Sequence, residues 1–115
     1  MDIKKIKIET YIPEEYTQKL REALNNIGAL GKGNYDNVMS VSKITGYWRP
    51  LKNANPFNGN INEISKANED KIEFSADIKN IESIIKTIKE IHPYEEPVIN
   101  IIPLINDRFD INLNY

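Results

Sequence analysis

His92-Pro93-Tyr94-Glu95-Glu96-Pro97 brings the chain's one histidine, two adjacent carboxylates and two prolines into six residues. An imidazole nitrogen and carboxylate oxygens are donors that a borderline divalent ion such as copper or zinc accepts. His92, Glu95 and Glu96 are therefore the candidate metal ligands. One histidine and two carboxylates make half a coordination sphere, and water or a second protomer would supply the rest. The competing reading is architectural. Pro93 stops a helix and Pro97 opens an extended run. A histidine at a helix C-terminus is favoured by the helix dipole in any case. In that reading Tyr94 packs inward and both glutamates are solvated.

Two other segments carry recognition chemistry. Trp48-Arg49-Pro50 precedes a loop rich in Asn, Pro and Gly (Asn53, Asn55, Pro56, Asn58, Gly59, Asn60). An aromatic beside an arginine makes a good binding surface. Equally, Trp48 and Phe57 could simply anchor the tip of a hairpin. The run from Gly28 to Asp36 holds Gly28, Gly31 and Gly33. Its amides could meet an anion, but the spacing is not that of a phosphate-binding loop and it follows a helix instead of opening one. A plain turn explains it as well. Glu14 and Glu15 are adjacent on a helix start and point in different directions, so they form no acid/base pair. Ser40 and Ser42 have no histidine near them in sequence, and nothing supports a Ser-His-Asp arrangement.

The elements that must position these groups follow from periodicity. Ile6, Ile8 and Thr10 alternate with charges, which predicts a strand over residues 3–11. Pro13 and the two following acids suit a helix N-terminus, and Tyr16, Leu20, Ala23, Leu24 and Ile27 form one apolar stripe, predicting a helix over 13–27 stopped by Gly28. Extended patterns over 37–48 and 61–76 flank the loop at 49–60 as a long hairpin. Asp77 is a plausible N-cap, and Ile81, Ile84, Ile85, Ile88 and Ile91 mark the buried stripe of a second helix over 78–91. A strand over 98–104 carries Pro103 and follows Pro97, which suits an edge.

The order β-α-β-β-α-β is the ferredoxin-like split unit, an α+β fold with two helices on one face of a four-stranded antiparallel sheet. At 115 residues it is one domain, with a core over 3–104 and a C-terminal appendage over 105–115. The last strand offers apolar residues to both faces (Val98, Ile102 and Leu104 against Ile99 and Ile101). That predicts an uncovered face too apolar for water, and hence a partner, most simply a second copy.

Composition narrows the class. A formal charge of −2 with lysines and acids interleaved gives no basic footprint, which argues against nucleic acid as a partner. The absence of cysteine excludes a disulfide scaffold, a thiolate metal site and a cysteine nucleophile. No apolar stretch approaches a membrane span, and the N-terminus reads as a strand and not a signal peptide, so the expected setting is cytoplasmic with no membrane partner.

The motifs themselves carry a resemblance. His92–Pro97 followed by Ile101-Ile-Pro-Leu104 resembles the C-terminal signature of the small domain inserted in YqfO-type proteins, of the Nif-three-like dinuclear-metal family. Tyr11–Tyr16, Leu20–Leu24, Gly33–Asp36, Thr45–Pro50 and Asn55–Gly59 extend the likeness over roughly residues 5–104 in the same order. The corner is also similar to the His-Pro-Tyr-Glu stretch of the copper-tolerance protein CutA. This resemblance implies a PII/CutA-like fold, usually a homotrimer, with loops near clefts between subunits. It places Tyr35, Asp36, Trp48 and Arg49 as candidate contacts for a small ligand. It implies no catalytic machinery: the dinuclear site of the larger proteins lies in flanking domains with several histidines, and this chain has one. The expected function is a non-enzymatic, homotrimeric binding module for a divalent metal or a small ligand. The alternatives are a purely structural trimerisation and interaction module and, behind it, a small hydrolase.

Overall fold

Ile6, Ile8 and Ile12 alternate with Lys7, Glu9 and Tyr11, and strand β1 (Lys5–Pro13) buries the first set while leaving the second partly in solvent. The computed structural model describes residues 2–109 and 111. Among these the chain continues with α1 (Thr17–Asn26), β2 (Ser40–Trp48), β3 (Ser65–Asp77), α2 (Ile81–Ile91) and β4 (Ile99–Leu104). The strands lie side by side in the order β2-β3-β1-β4, each neighbouring pair antiparallel. This is the expected ferredoxin-like α+β arrangement, with β4 on an edge where Pro103 is tolerated.

Leu20 and Leu24 of α1 and Ile84 and Ile88 of α2 pack on Ile6, Ile8 and Ile12 of β1 and Ile72, Phe74 and Ala76 of β3. Both helices therefore cover one face, and each fully buried Leu or Ile side chain contributes about 1.5–3 kcal/mol. Gly28 ends α1 at φ +80°. Its N–H bonds the Asn25 carbonyl at 2.9 Å, and the Ala29 N–H bonds that of Leu24 at 3.0 Å. These bonds satisfy carbonyls the helix leaves open, and only a residue at ease with positive φ makes both. Before α2, the Asp77 carboxylate accepts the Lys79 N–H at 3.1 Å, so the expected N-cap is present.

Several boundaries differ from the periodicity. A 3-10 turn at Glu14–Tyr16 replaces the first turn of helix one, and Ile27 lies beyond the last helical residue and is exposed. Strands two and three begin at Ser40 and Ser65, so residues 61–64 join the hairpin tip. The cause is a loop closure: Asn62 takes φ +63° and its N–H bonds the Pro50 carbonyl at 2.6 Å.

The uncovered sheet face is not apolar as expected. Its centre carries Lys7, Glu9, Lys71 and Glu73, with Lys7 Nζ 2.6 Å from Glu73 and 3.5 Å from Glu9, and Lys71 Nζ 3.6 Å from Glu9. The exposed apolar residues of this face sit on and beside the β4 edge, at Val98 and Ile102, while Ile101, opposite Ile8, is on the helix side. Of the C-terminal appendage, Asn106–Arg108 forms a 3-10 turn, while residues 110 and 112–115 lie outside the described residues. No helix among the described residues is long and apolar enough to cross a membrane.

Candidate ligand-binding cleft

Strand β3 is 13 residues long, and its first half runs past the end of β1, whose last partner on it is Glu69 opposite Pro13. Residues 65–68 thus pair only with β2 and form a projecting arm. On the other side of β1, β4 starts opposite Thr10. The corner 92–98 lies alongside the end of β1, Tyr11 to Pro13, that β3 pairs and β4 does not. It is tied there by two hydrogen bonds: Thr10 Oγ1 donates to the Val98 carbonyl at 2.7 Å, and His92 Nε2 donates to the Tyr11 carbonyl at 2.6 Å. The tip loop folds back over the arm towards this corner, where the Asn55 N–H donates to Glu95 Oε2 at 3.0 Å. Arm, loop and corner enclose a cleft of about 870 Å³.

Tyr94 is the centre of the arrangement. Its ring lies 4.8 Å from His92, 6.0 Å from Trp48 and 6.1 Å from Phe57, and Phe57 meets Tyr16 edge-on at 6.1 Å. Such ring pairs contribute about 0.5–1.5 kcal/mol beyond their buried area. They close the tip loop onto the domain. The Trp48 indole N–H also donates to the Asn58 carbonyl at 3.1 Å, holding the loop from within.

Beneath Tyr94 lies Glu69. The Tyr94 hydroxyl donates to Glu69 Oε2 at 2.5 Å. Burial, and then this bond and the carboxylate's charge, hold the Tyr94 hydroxyl well above the ordinary tyrosine range. Gly46 makes room for the carboxylate: a Cβ there would stand 2.0 Å from Glu69 Oε1. The next residue, Asp70, is equally buried but points to the other face. There Thr17 Oγ1 donates to it at 2.6 Å and the Lys43 ammonium lies 2.8 Å away.

The residues singled out in the sequence divide between places. Trp48 and Arg49 line the cleft, as do Glu95 and Glu96. Tyr35 and Asp36 do not. Tyr35 pairs with Lys32 in a two-residue bridge, Asp36 accepts from Asn37, and Asn37 in turn is held by Asn25 and Arg21 of α1. The glycine-rich connection is bonded as a turn. His92 is buried, with both ring nitrogens engaged: Nε2 on Tyr11, and Nδ1 accepting the Tyr94 N–H at 3.2 Å. These bonds assign the neutral tautomer with the proton on Nε2. Burial holds the imidazole pKa below its ordinary value, against the opposing pull of the Tyr11 carbonyl and the Glu69 charge. Among the described residues no three His, Asp or Glu side chains gather as a metal-binding group. Glu69 and Gly46 escaped the sequence reading because only the β2–β3 register places them together. The signal available was an acidic pair, Glu69-Asp70, inside a strand with a dry face.

The fold is that of a PII/CutA-like domain. No protein-family model matches the chain. In sequence, 98 residues are 32% identical to the protein named "GTP cyclohydrolase 1 type 2 homolog" of Staphylococcus epidermidis, an alignment covering 85% of this chain and 27% of that protein. The protein of the same name from Staphylococcus aureus is 35% identical over 98 residues, with the same coverages. In structure, a Bacillus cereus protein related to NIF3 superposes with a TM-score of 0.78 at 26% identity, over 90% of this chain and 26% of the other. CutA from Synechococcus elongatus superposes with a TM-score of 0.67 at 17% identity, over 90% of this chain and 80% of CutA, a likeness of fold. The chain thus spans about a quarter of the length of the curated relatives it matches. The resemblance read from the motifs holds: the chain is related to a domain-sized segment of the Nif-three-like proteins and has the fold of CutA.

Proposed function

We propose that this chain is a non-enzymatic binding module of the PII/CutA type that assembles as a homo-oligomer, most simply a trimer, and takes a small ligand in the cleft between the hairpin tip and the 92–98 corner. The observation that carries the reading is the cleft itself. It joins Trp48 and Arg49 to the corner through the Tyr94 ring cluster, at a volume suited to a small molecule. Binding there would tighten the 49–64 loop against Tyr94, and residues of the loop outside the cleft, Ile61 and Ile64, are exposed apolar groups that a protein partner could read. The likeness to CutA-type structures supports the assembly, and the exposed β4 edge offers a surface for it. The relatives' name refers to a cyclohydrolase, but the segment they share with this chain is about a quarter of their length, and we assign catalysis elsewhere.

A divalent metal at His92, Glu95 and Glu96 is the same module's other version. It requires His92 to release either the Tyr11 carbonyl or the Tyr94 N–H. The test is native mass spectrometry combined with thermal unfolding, run with zinc, copper, nucleotides and amines. The expected result is a trimer whose Tm rises with one class of small molecule, since a ligand of the native state at 100 times its Kd adds about 2.7 kcal/mol. A protein that no compound stabilises, with a Tm indifferent to Trp48→Leu, would leave only the structural module.

A further inference from the structure

Glu69 and Asp70 are neighbours in β3, both more than nine-tenths buried, and their surroundings are opposite. Asp70 receives a hydroxyl and an ammonium. Glu69 receives only the Tyr94 hydroxyl, on Oε2; among the described residues no ion pair or further hydrogen bond reaches its Oε1. Buried carboxylates are ordinarily paired with a cation or several donors, because removing the charge from water costs far more than one hydroxyl returns. The missing partner belongs on the cleft side. Glu69 and Gly46 both line the cleft, and Oε1 occupies the space there that a side chain at position 46 would fill.

The surfaces beside that oxygen are aromatic. Trp48 and Tyr94 stand tilted at 43° with 6.0 Å between ring centres, and Phe57 follows on the far side of Tyr94. Ring faces attract a cation within about 6 Å of their centres. A carboxylate at the floor with indole and phenol walls suits a positively charged nitrogen with N–H donors and an apolar stem. We infer that, within the cleft reading proposed above, Glu69 Oε1 is the anchor for an organic cation, an ammonium or guanidinium group, packed against Trp48 and Tyr94. The positive group comes either from a free amine or from a Lys or Arg side chain of a second copy of this chain.

Trp48 is the chain's one tryptophan, so intrinsic fluorescence reports on the cleft directly. The native protein is titrated with butylguanidine and with its neutral analogue butylurea, and both titrations are repeated on Glu69→Gln, in which the side-chain oxygen still accepts from Tyr94. The expected result is a saturable change in Trp48 emission with butylguanidine, at least tenfold weaker binding of butylurea, and at least tenfold weaker binding of butylguanidine to the variant. If Glu69→Gln does not fold, the comparison of the two ligands on the native chain carries the test. Should butylguanidine leave Trp48 unchanged while Glu69→Gln lowers the assembly state in native mass spectra, the cation is a neighbour's side chain and the anchor stands. Equal binding of both ligands overturns the inference. So does a response to adenosine monophosphate or zinc alone, either of which spares the cleft reading. Silence of Trp48 towards butylguanidine, butylurea, adenosine monophosphate and zinc, with the assembly unaltered by Glu69→Gln, overturns inference and cleft together.

Discussion

A methyl group added at Gly46 would lie 2.0 Å from Glu69 Oε1 and 2.8 Å from its Cδ, closer than packed atoms approach. Gly46→Ala must therefore push the carboxylate from beneath Tyr94. Gly46 is not among the glycines at positive φ, so alanine brings no backbone strain there. By restricting the unfolded chain it contributes about 0.4–1 kcal/mol in favour of folding. Opposed to this is the 2.5 Å bond from the Tyr94 hydroxyl to Glu69, and hydrogen bonds to charged groups contribute about 1.5–3 kcal/mol. The balance is a net loss of about 1–2 kcal/mol. Tyr94→Phe removes the same bond without the intrusion, so the two changes must be strongly non-additive. The double variant should cost less than the sum of the singles by roughly the bond's own contribution. Urea unfolding at one fixed protomer concentration measures all three, the concentration being held because assembly shifts apparent stability. A Gly46→Ala protein as stable as the parent, or costs that simply add, would refute the account of Gly46 as the space that seats Glu69.

Two further outcomes follow from the geometry. Burial holds the folded-state pKa of His92 below 6.5, so its neutral ring stabilises the fold in full above that pH, and the contribution is lost as pH falls through the folded value. The urea midpoint should drop between pH 7 and pH 5 and flatten in His92→Asn. Glu73 and Asp77, whose pKa values the Lys7 bond and the Lys79 N–H respectively hold below 4.5 and 3.8, act only at lower pH. Asp77→Ala removes the cap on Lys79 N and should cost about 1 kcal/mol in the same assay, with loss of helix signal confined to α2. No cost would mean that the 3-10 turn at Ile78–Asn80 caps itself.

Much of the fold is present in the residue pattern, because its causes are local. Ile81, Ile84, Ile85, Ile88 and Ile91 share one helix face whatever lies around them, and Asp77 caps the turn that follows it. Gly28 stops helix one by its own φ. The open face was misread for a non-local reason. Strand β4 is apolar on both sides, but it is one edge of four, and the central strands β1 and β3 set the face's character with Lys7, Glu9, Lys71 and Glu73. The cleft divides similarly. Trp48 and Arg49 stand out by residue type, whereas Glu69 acquires meaning only from the register that lays it against Gly46 and from the corner that brings Tyr94 over it. Position 92 shows the converse: histidine suggests metal chemistry by type, yet here both nitrogens hold backbone.

Strand β3 serves two ends of the molecule with separate sets of residues. Ile72, Phe74 and Ala76 belong to the core, while Ser65 to Glu69 build the arm and cleft. A substitution in the arm therefore touches few of the contacts that hold the domain together. The proposed binding surface can drift or be redesigned through the arm and loop, Gly46 and Glu69 excepted, while the half of the chain that determines folding stays under its own constraints. Within the proposed binding role, a library confined to the arm and its loop is the place to change specificity without first adding stability.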